Sequence, residues 1–193
     1  MSTLESFSVN RPCRGEHVSG DLALVQEVTG GWLAALGDVL GHGKEAHALA
    51  VQIVSWLESH ASGDVARLME RLHKRLGGSR GAALGLCFVT EGGKVQYVGT
   101  GNTALRRIGS TETRLVSRDG VVGHTMRAPH VQSLELEPDD LLLLYTDGVS
   151  DRFGLKEYPA LRHHSVNAVA RSVIKRFAKD YDDATCVALR YKP

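Results

Sequence analysis

The sequence lacks the features that mark several large classes of protein. Its three cysteines, Cys13, Cys87 and Cys186, are odd in number and far apart. They make no disulfide framework and no CxxC metal signature. Cys87 in LGLCFV and Cys186 in ATCVAL lie in apolar runs and read as small core residues, which suits a reducing compartment. The most strongly apolar run, LLLLY at Leu141–Tyr145, is far too short to span a bilayer. The stretch MSTLESFSVNRPCRGEH has no basic region followed by an apolar one, so it is not read as a signal peptide and a cytoplasmic protein is expected. Charge of one sign is also missing. Lys and Arg total 23, Asp and Glu 22, for a net charge of +1, which gives no electrostatic reason to expect nucleic acid or a membrane as partner. No Pro-rich or Ser-rich linker and no internal repeat divides the 193 residues. A single domain over residues 1–193 is expected, large enough to bury a core without staples.

What is present is a clear alternation of strand and helix periods. Leu4–Val9, Asp21–Val28 and Gly31–Asp38 read as strands, the last two joined by a TGG turn. From Gly43 the period changes. Ala46, Leu49, Ala50, Ile53, Trp56 and Leu57 recur at three- and four-residue spacing, which predicts an amphipathic helix to Ser59. Asp64 is placed as an N-cap. Val65, Leu68, Met69, Leu72 and Leu76 form a second helical stripe stopped by Gly77-Gly78. Its other face, with Arg67, Glu70, Arg71, Lys74 and Arg75, reads as solvated. Strands are then expected at Ala82–Thr90, Lys94–Thr100, Ala104–Ile108, Thr113–Val116, Gln132–Leu136 and Leu141–Thr146. A helix at Ser165–Phe177 follows, with exposed His163-His164 before it, and a last strand at Ala184–Tyr191. Consecutive strands on short turns imply antiparallel sheets. The expected fold is α+β: an αββα sandwich of two packed antiparallel sheets flanked by helices.

Four acidic positions share one context. Asp21 begins an apolar segment in SGDLALV, Asp38 ends one in LAALGD, Asp147 ends one in LLLLYTDG, and Asp182-Asp183 precedes one in DYDDATCVAL. Each Asp taken singly also fits an ordinary turn residue. Taken together, carboxylates on the rim of a rigid scaffold are costly to crowd unless a cation neutralises them. With a cation they make a hard oxygen site suited to Mg²⁺ or Mn²⁺. Two such ions can activate a water and hold a phosphoryl oxygen, which is metal-assisted phosphoester hydrolysis.

GDVLGHG, YTDGVSD and DDAT, in that order, resemble the motif set of the metal-dependent PPM-type serine/threonine phosphatases, in particular the bacterial branch of partner-switching control of sigma factors. SGD at Ser19–Asp21, YVGTGNTALRR at Tyr97–Arg107 and GVVGHTM at Gly120–Met126 extend the resemblance from about residue 5 to 191. The resemblance implies a two-sheet sandwich, two Mn²⁺ or Mg²⁺ ions, and an ion-activated water as nucleophile with no covalent phosphoenzyme. It implies that Asp38 bridges the ions, that Val39 offers a backbone carbonyl, that Asp21 binds the second ion, and that Asp147 and Asp182 complete the first. Asp183, Gly148 and Asn102 are implied as supporting residues around these ligands. Gly41 and Gly43 permit the sharp turn after Val39.

The motifs depart from the family pattern in three places. Val39 replaces a common glycine, which a backbone ligand tolerates. His42 does not match the histidine proposed as general acid in eukaryotic relatives. The arginine expected to grip substrate phosphate has no clear match, leaving Arg14 and His42 as candidate phosphate-binding residues. With no sensor domain before the first motif, the chain is similar to the stand-alone, RsbX-type feedback phosphatases of the stressosome. That similarity implies phosphoserine or phosphothreonine on stressosome scaffold and anti-sigma-factor antagonist proteins as substrate. A monomer is expected. Two alternatives stay open: a pseudophosphatase that only binds phosphorylated partners, against which all four carboxylates argue, and a small-molecule phosphomonoesterase with the same metal chemistry.

Overall fold

The computed structural model describes residues 2–154, 161 and 163–193. The chain runs β1 (Thr3–Arg11), β2 (Asp21–Val28), β3 (Gly31–Val39), α1 (Gly43–His60), α2 (Val65–Arg75), β4 (Ala82–Thr90), β5 (Lys94–Thr100), β6 (Ala104–Ile108), β7 (Glu112–Val116), β8 (Gln132–Glu135), β9 (Leu141–Tyr145), α3 (Val166–Phe177) and β10 (Ala184–Lys192). The strands form two five-stranded sheets, ordered β1-β10-β9-β6-β7 and β2-β3-β4-β5-β8. Every ladder is antiparallel. The expected sandwich is therefore the observed fold.

Three apolar layers follow from strand alternation. Ala34 and Leu36 of β3, Leu142 and Leu144 of β9, and Val187 and Leu189 of β10 face one another between the sheets. The opposite face of β3 and β4 packs against Ile53 and Leu57 of α1 and Leu68 and Leu72 of α2. Leu141, Leu143 and Cys186 lie under Val169, Ala170 and Val173 of α3 on the other sheet. Cys87 lies in the layer between the sheets, so both apolar-run cysteines are core residues, free and buried. Among the described residues, no helix is long and apolar enough to cross a membrane.

Local chemistry sets the element ends. Asp64 caps α2, its carboxylate accepting from the Arg67 N–H at 3.0 Å. Ser165 caps α3 through Ala168. The second-helix charges Arg67, Glu70, Arg71, Lys74 and Arg75 are all exposed, as are His163 and His164. β1 is longer than its apolar core Leu4–Val9 suggests, because it pairs along its whole length with β10, from Thr3↔Lys192 to Arg11↔Ala184. Backbone ladder bonds, which carry no side-chain signal, account for the extra residues.

The layering predicts a contrast on α1. Leu57 is fully buried and Val51 is 53% exposed. Leu57→Ala is expected to cost about 2–5 kcal/mol, and Val51→Ala less than about 0.5 kcal/mol. Urea denaturation midpoints of the two variants check this. Similar costs at both positions would contradict the assigned helix face.

Candidate metal centre

The aspartates converge because the strands that carry them share one end of the sandwich. Asp21 opens β2 and Asp38 is the next-to-last residue of β3, and the two are direct cross-strand partners. Both continue the alternation that faces the other sheet: Leu36 precedes Asp38 by two residues and Ala23 follows Asp21 by two. On the opposite sheet, Thr146 and Asp147 follow β9, and Asp182-Asp183 leads into β10, which pairs with β9. The aliphatic layer between the sheets thus ends in acids and hydroxyls.

Hydrogen bonds lock the two sheets together here. Thr146 Oγ1 donates to Asp21 Oδ2 at 2.8 Å and accepts from the Thr185 N–H at 3.0 Å. Asp183 accepts from the backbone N–H groups of Cys13 at 2.7 Å and Gly20 at 2.6 Å, so it ties the loop before β2 to the start of β10. Gly148 has no room for a side chain: a Cβ there would lie 1.8 Å from the Asp183 carbonyl oxygen. That close approach brings the Asp147 turn against the Asp182-Asp183 segment. After Val39, Gly41 and Gly43 adopt φ of +91° and +74°, a left-handed conformation that glycine tolerates, and α1 begins at once.

Electrostatics report the crowding. Burial, then the charges of Asp21, Asp147, Asp182 and Asp183, push the Asp38 carboxyl up to about 8. Asp21, only 4% exposed, is pushed up to about 7, mainly by burial, against the hydrogen bond from Thr146. Asp182 is raised by burial first and by Asp147 next. Like charges directly opposite on adjacent strands are unfavourable, and a buried carboxylate without a partner is more so. Asp21 Oδ1 is such an atom, buried with no hydrogen-bond donor. A divalent cation fits this donor set: hard oxygens, excess negative charge, and one buried oxygen left unsatisfied. Among the described residues, no three His, Cys, Asp or Glu side chains stand close enough together to hold one ion as they are placed.

The remaining candidates divide. Asn102 lines a cavity with Asp147. Arg14 is exposed on the loop that precedes Asp21, its N–H donating to the Asp180 carbonyl at 2.8 Å. The His42 ring is 69% exposed and bonds Glu16 at 2.8 Å. Residues with no assignment from sequence also shape the site. Thr146 was visible only as a letter inside YTDG. Arg106 of β6 is buried and donates to Tyr145 Oη at 2.8 Å, Glu112 at 3.0 Å, and the carbonyls of Asp151 at 2.9 Å and of Phe153. It pins the loop that follows Asp147. A buried charge survives only with such saturation, but one Arg of an Arg-Arg pair carries no mark of this in sequence.

A family model described as Stage II sporulation protein E (SpoIIE) matches residues 29–192. The chain therefore belongs to that family, among the bacterial PPM-type phosphatases. Solved structures share its fold. One comes from work on the bacterial stressosome as a modular system adapted to control secondary messenger signalling. It is 25% identical, with a TM-score of 0.89, over 97% of this chain and 100% of that one. RsbX in complex with magnesium is 19% identical, with a TM-score of 0.82 and 100% of both chains covered. The PP2C phosphatase domain of SpoIIE from Bacillus subtilis, solved with a fragment of its regulatory domain, is 20% identical with a TM-score of 0.81. That alignment covers 99% of this chain and 62% of the other. No curated protein matches the sequence.

The crowding has a pH signature in chelator. Asp38 and Asp21 are raised in the folded state to about 8 and about 7, so the folded state holds protons that the unfolded state releases near pH 4. Metal-free stability carries no penalty below about pH 4 and loses ground as pH rises towards 8. Asp38→Asn removes much of that penalty. Its melting temperature in chelator is expected to match wild type near pH 4 and to exceed it increasingly up to pH 8. A gap that does not change with pH would overturn the electrostatic account.

Proposed function

We propose that this member of the stage II sporulation protein E family is a Mn²⁺- or Mg²⁺-dependent protein phosphatase. Its substrates on this reading are phosphoserine and phosphothreonine of stressosome scaffold and anti-sigma-factor antagonist proteins, and their dephosphorylation resets the stress signal. The observation that carries the chemistry is the convergence of Asp21, Asp38, Asp147 and Asp182 at one end of the sandwich, with a buried Asp21 oxygen unsatisfied. What supports the substrate is likeness to the stressosome-related chain and to RsbX, each matched over its full length.

On this reading Asp38 would be shared between the ions, with Asp21 holding one and Asp147, Asp182 and the Val39 carbonyl the other. Bound ions of this kind supply Lewis acidity to a water and to the phosphoryl oxygens. Water adds to phosphorus, the P–O bond to the serine or threonine oxygen breaks, and that oxygen takes up a proton. The products are a free hydroxyl and inorganic phosphate. The chain's own part is positional. The β2–β3 register fixes Asp21 opposite Asp38, Thr146 orients Asp21 from the other sheet, and Asp183 and Gly148 hold the two remaining acidic segments together. This is how a rigid scaffold supplies orientation before the reaction begins.

The test is phosphate release from a phosphoserine-bearing antagonist protein, with Mn²⁺ and with excess chelator, beside a generic aryl phosphate. Metal-dependent release from the phosphoprotein is expected, with the aryl phosphate the poorer substrate. Release from the aryl phosphate alone would discard the protein substrate. Asp38→Asn is expected to lower turnover by more than the roughly 10–100-fold that supporting residues of a metal site typically cost. Unchanged turnover in saturating Mn²⁺ would remove Asp38 from the ligand set.

A further inference from the structure

The sequence offers no clear arginine to grip substrate phosphate, and both nominated candidates, Arg14 and His42, are exposed. A cation stands elsewhere. Beside Asp147 lies a cavity of about 190 Å³ lined by Asn102, Arg114, Asp147, Ser150, Asp151 and Lys179. At about 30 Å³ per water, it has room for a phosphate group. Two of its side chains are cationic, and they differ. Arg114 is paired with Asp151 at 2.8 Å. Lys179 makes no ion pair with a carboxylate of the described residues. Its ammonium donates to the Asp147 carbonyl at 2.5 Å, which leaves two of its three donors free.

The position of Lys179 is built, not incidental. The segment after α3 runs antiparallel to the turn after Asp147. Ser150 N–H donates to the Phe177 carbonyl at 2.8 Å, and Lys179 N–H donates to the Gly148 carbonyl at 2.8 Å. Val149 and Ala178 form a β-bridge between them. Arg11 clamps the Lys179 carbonyl from β1 at 2.5 Å. The backbone of Lys179 is therefore fixed relative to Asp147, and three residues later the chain supplies Asp182. The lysine charge acts on that carboxyl, opposing the burial that raises it.

We propose that Lys179 is the cation that holds the substrate's phosphate, donating its two free N–H groups to phosphoryl oxygens in the cavity beside Asp147. The inference rests on the phosphatase reading above. Charge-assisted hydrogen bonds to phosphate are among the stronger polar contacts, and a lysine serves as a point charge where bidentate geometry is not required.

The experiment first establishes Mn²⁺-dependent release from an aryl phosphate by the wild type. An inactive wild type would sink the function, and with it this role. Inorganic phosphate is then titrated calorimetrically into Mn²⁺-loaded wild type, Lys179→Gln and Lys179→Arg, and Mn²⁺ into each metal-free protein. The expected result is phosphate affinity weakened about 10-fold or more in Lys179→Gln and largely restored in Lys179→Arg, with Mn²⁺ affinity within about 3-fold of wild type throughout. KM for the aryl phosphate should rise in parallel. Unchanged phosphate affinity in an active Lys179→Gln would overturn the assignment. So would a parallel loss of Mn²⁺ affinity, which would make Lys179 a support for the acidic ligands.

Discussion

Two carboxylates facing each other across adjacent strands constrain the rest of the site. Asp21 and Asp38 are cross-strand partners in a register fixed by eight consecutive pairs from Asp21↔Asp38 to Val28↔Gly31. A slip of one residue would turn one of them to the opposite face and Leu22 or Gly37 into its place. The long ladder and the apolar layers on both of its faces hold the pair together against its own repulsion. Burial and neighbouring charge raise both carboxyls, and the unsatisfied Asp21 oxygen is the remaining local cost. Such cost is stored at a site only where the surroundings over-determine it.

The second sheet completes the arrangement. β9 and β10 are neighbours with Cys186↔Tyr145 as the last ladder pair before the site, so Asp147 leaves one strand where Asp182 arrives at the other. Thr146 crosses to Asp21 between the sheets, and Asp183 reaches back to the loop before β2. Arg106 and its partners anchor the chain beyond Asp147. The acidic group is thus supported from both sheets and from two loops. This is the preorganisation that electrostatic and positional catalysis require.

Much of this was legible in the sequence because periodicity is a direct record of burial. Every strand and helix was marked by its apolar period or its cap, and the two-sheet class followed from antiparallel order. The carboxylates stood out by their place at strand ends. Their convergence was not legible from spacing alone. Asp21 and Asp147 are far apart in sequence, and what joins them is inter-sheet packing through Thr146. Gly148 was visible as part of TDG, but the reason it must be glycine is the Asp183 carbonyl, distant in the chain. Lys179 reads as one more basic residue after Lys175 and Arg176. Only the pairing of residues 177–179 with 148–150 gives it a different meaning.

The central claim is that this acidic group is assembled to hold divalent cations. The most direct measurement is an anomalous difference map from crystals grown or soaked with Mn²⁺. The account predicts peaks on both sides of Asp38, within about 2.0–2.5 Å of carboxylate oxygens of Asp21, Asp147 or Asp182. Well-occupied Mn²⁺ elsewhere on the protein with none at Asp38 would contradict it.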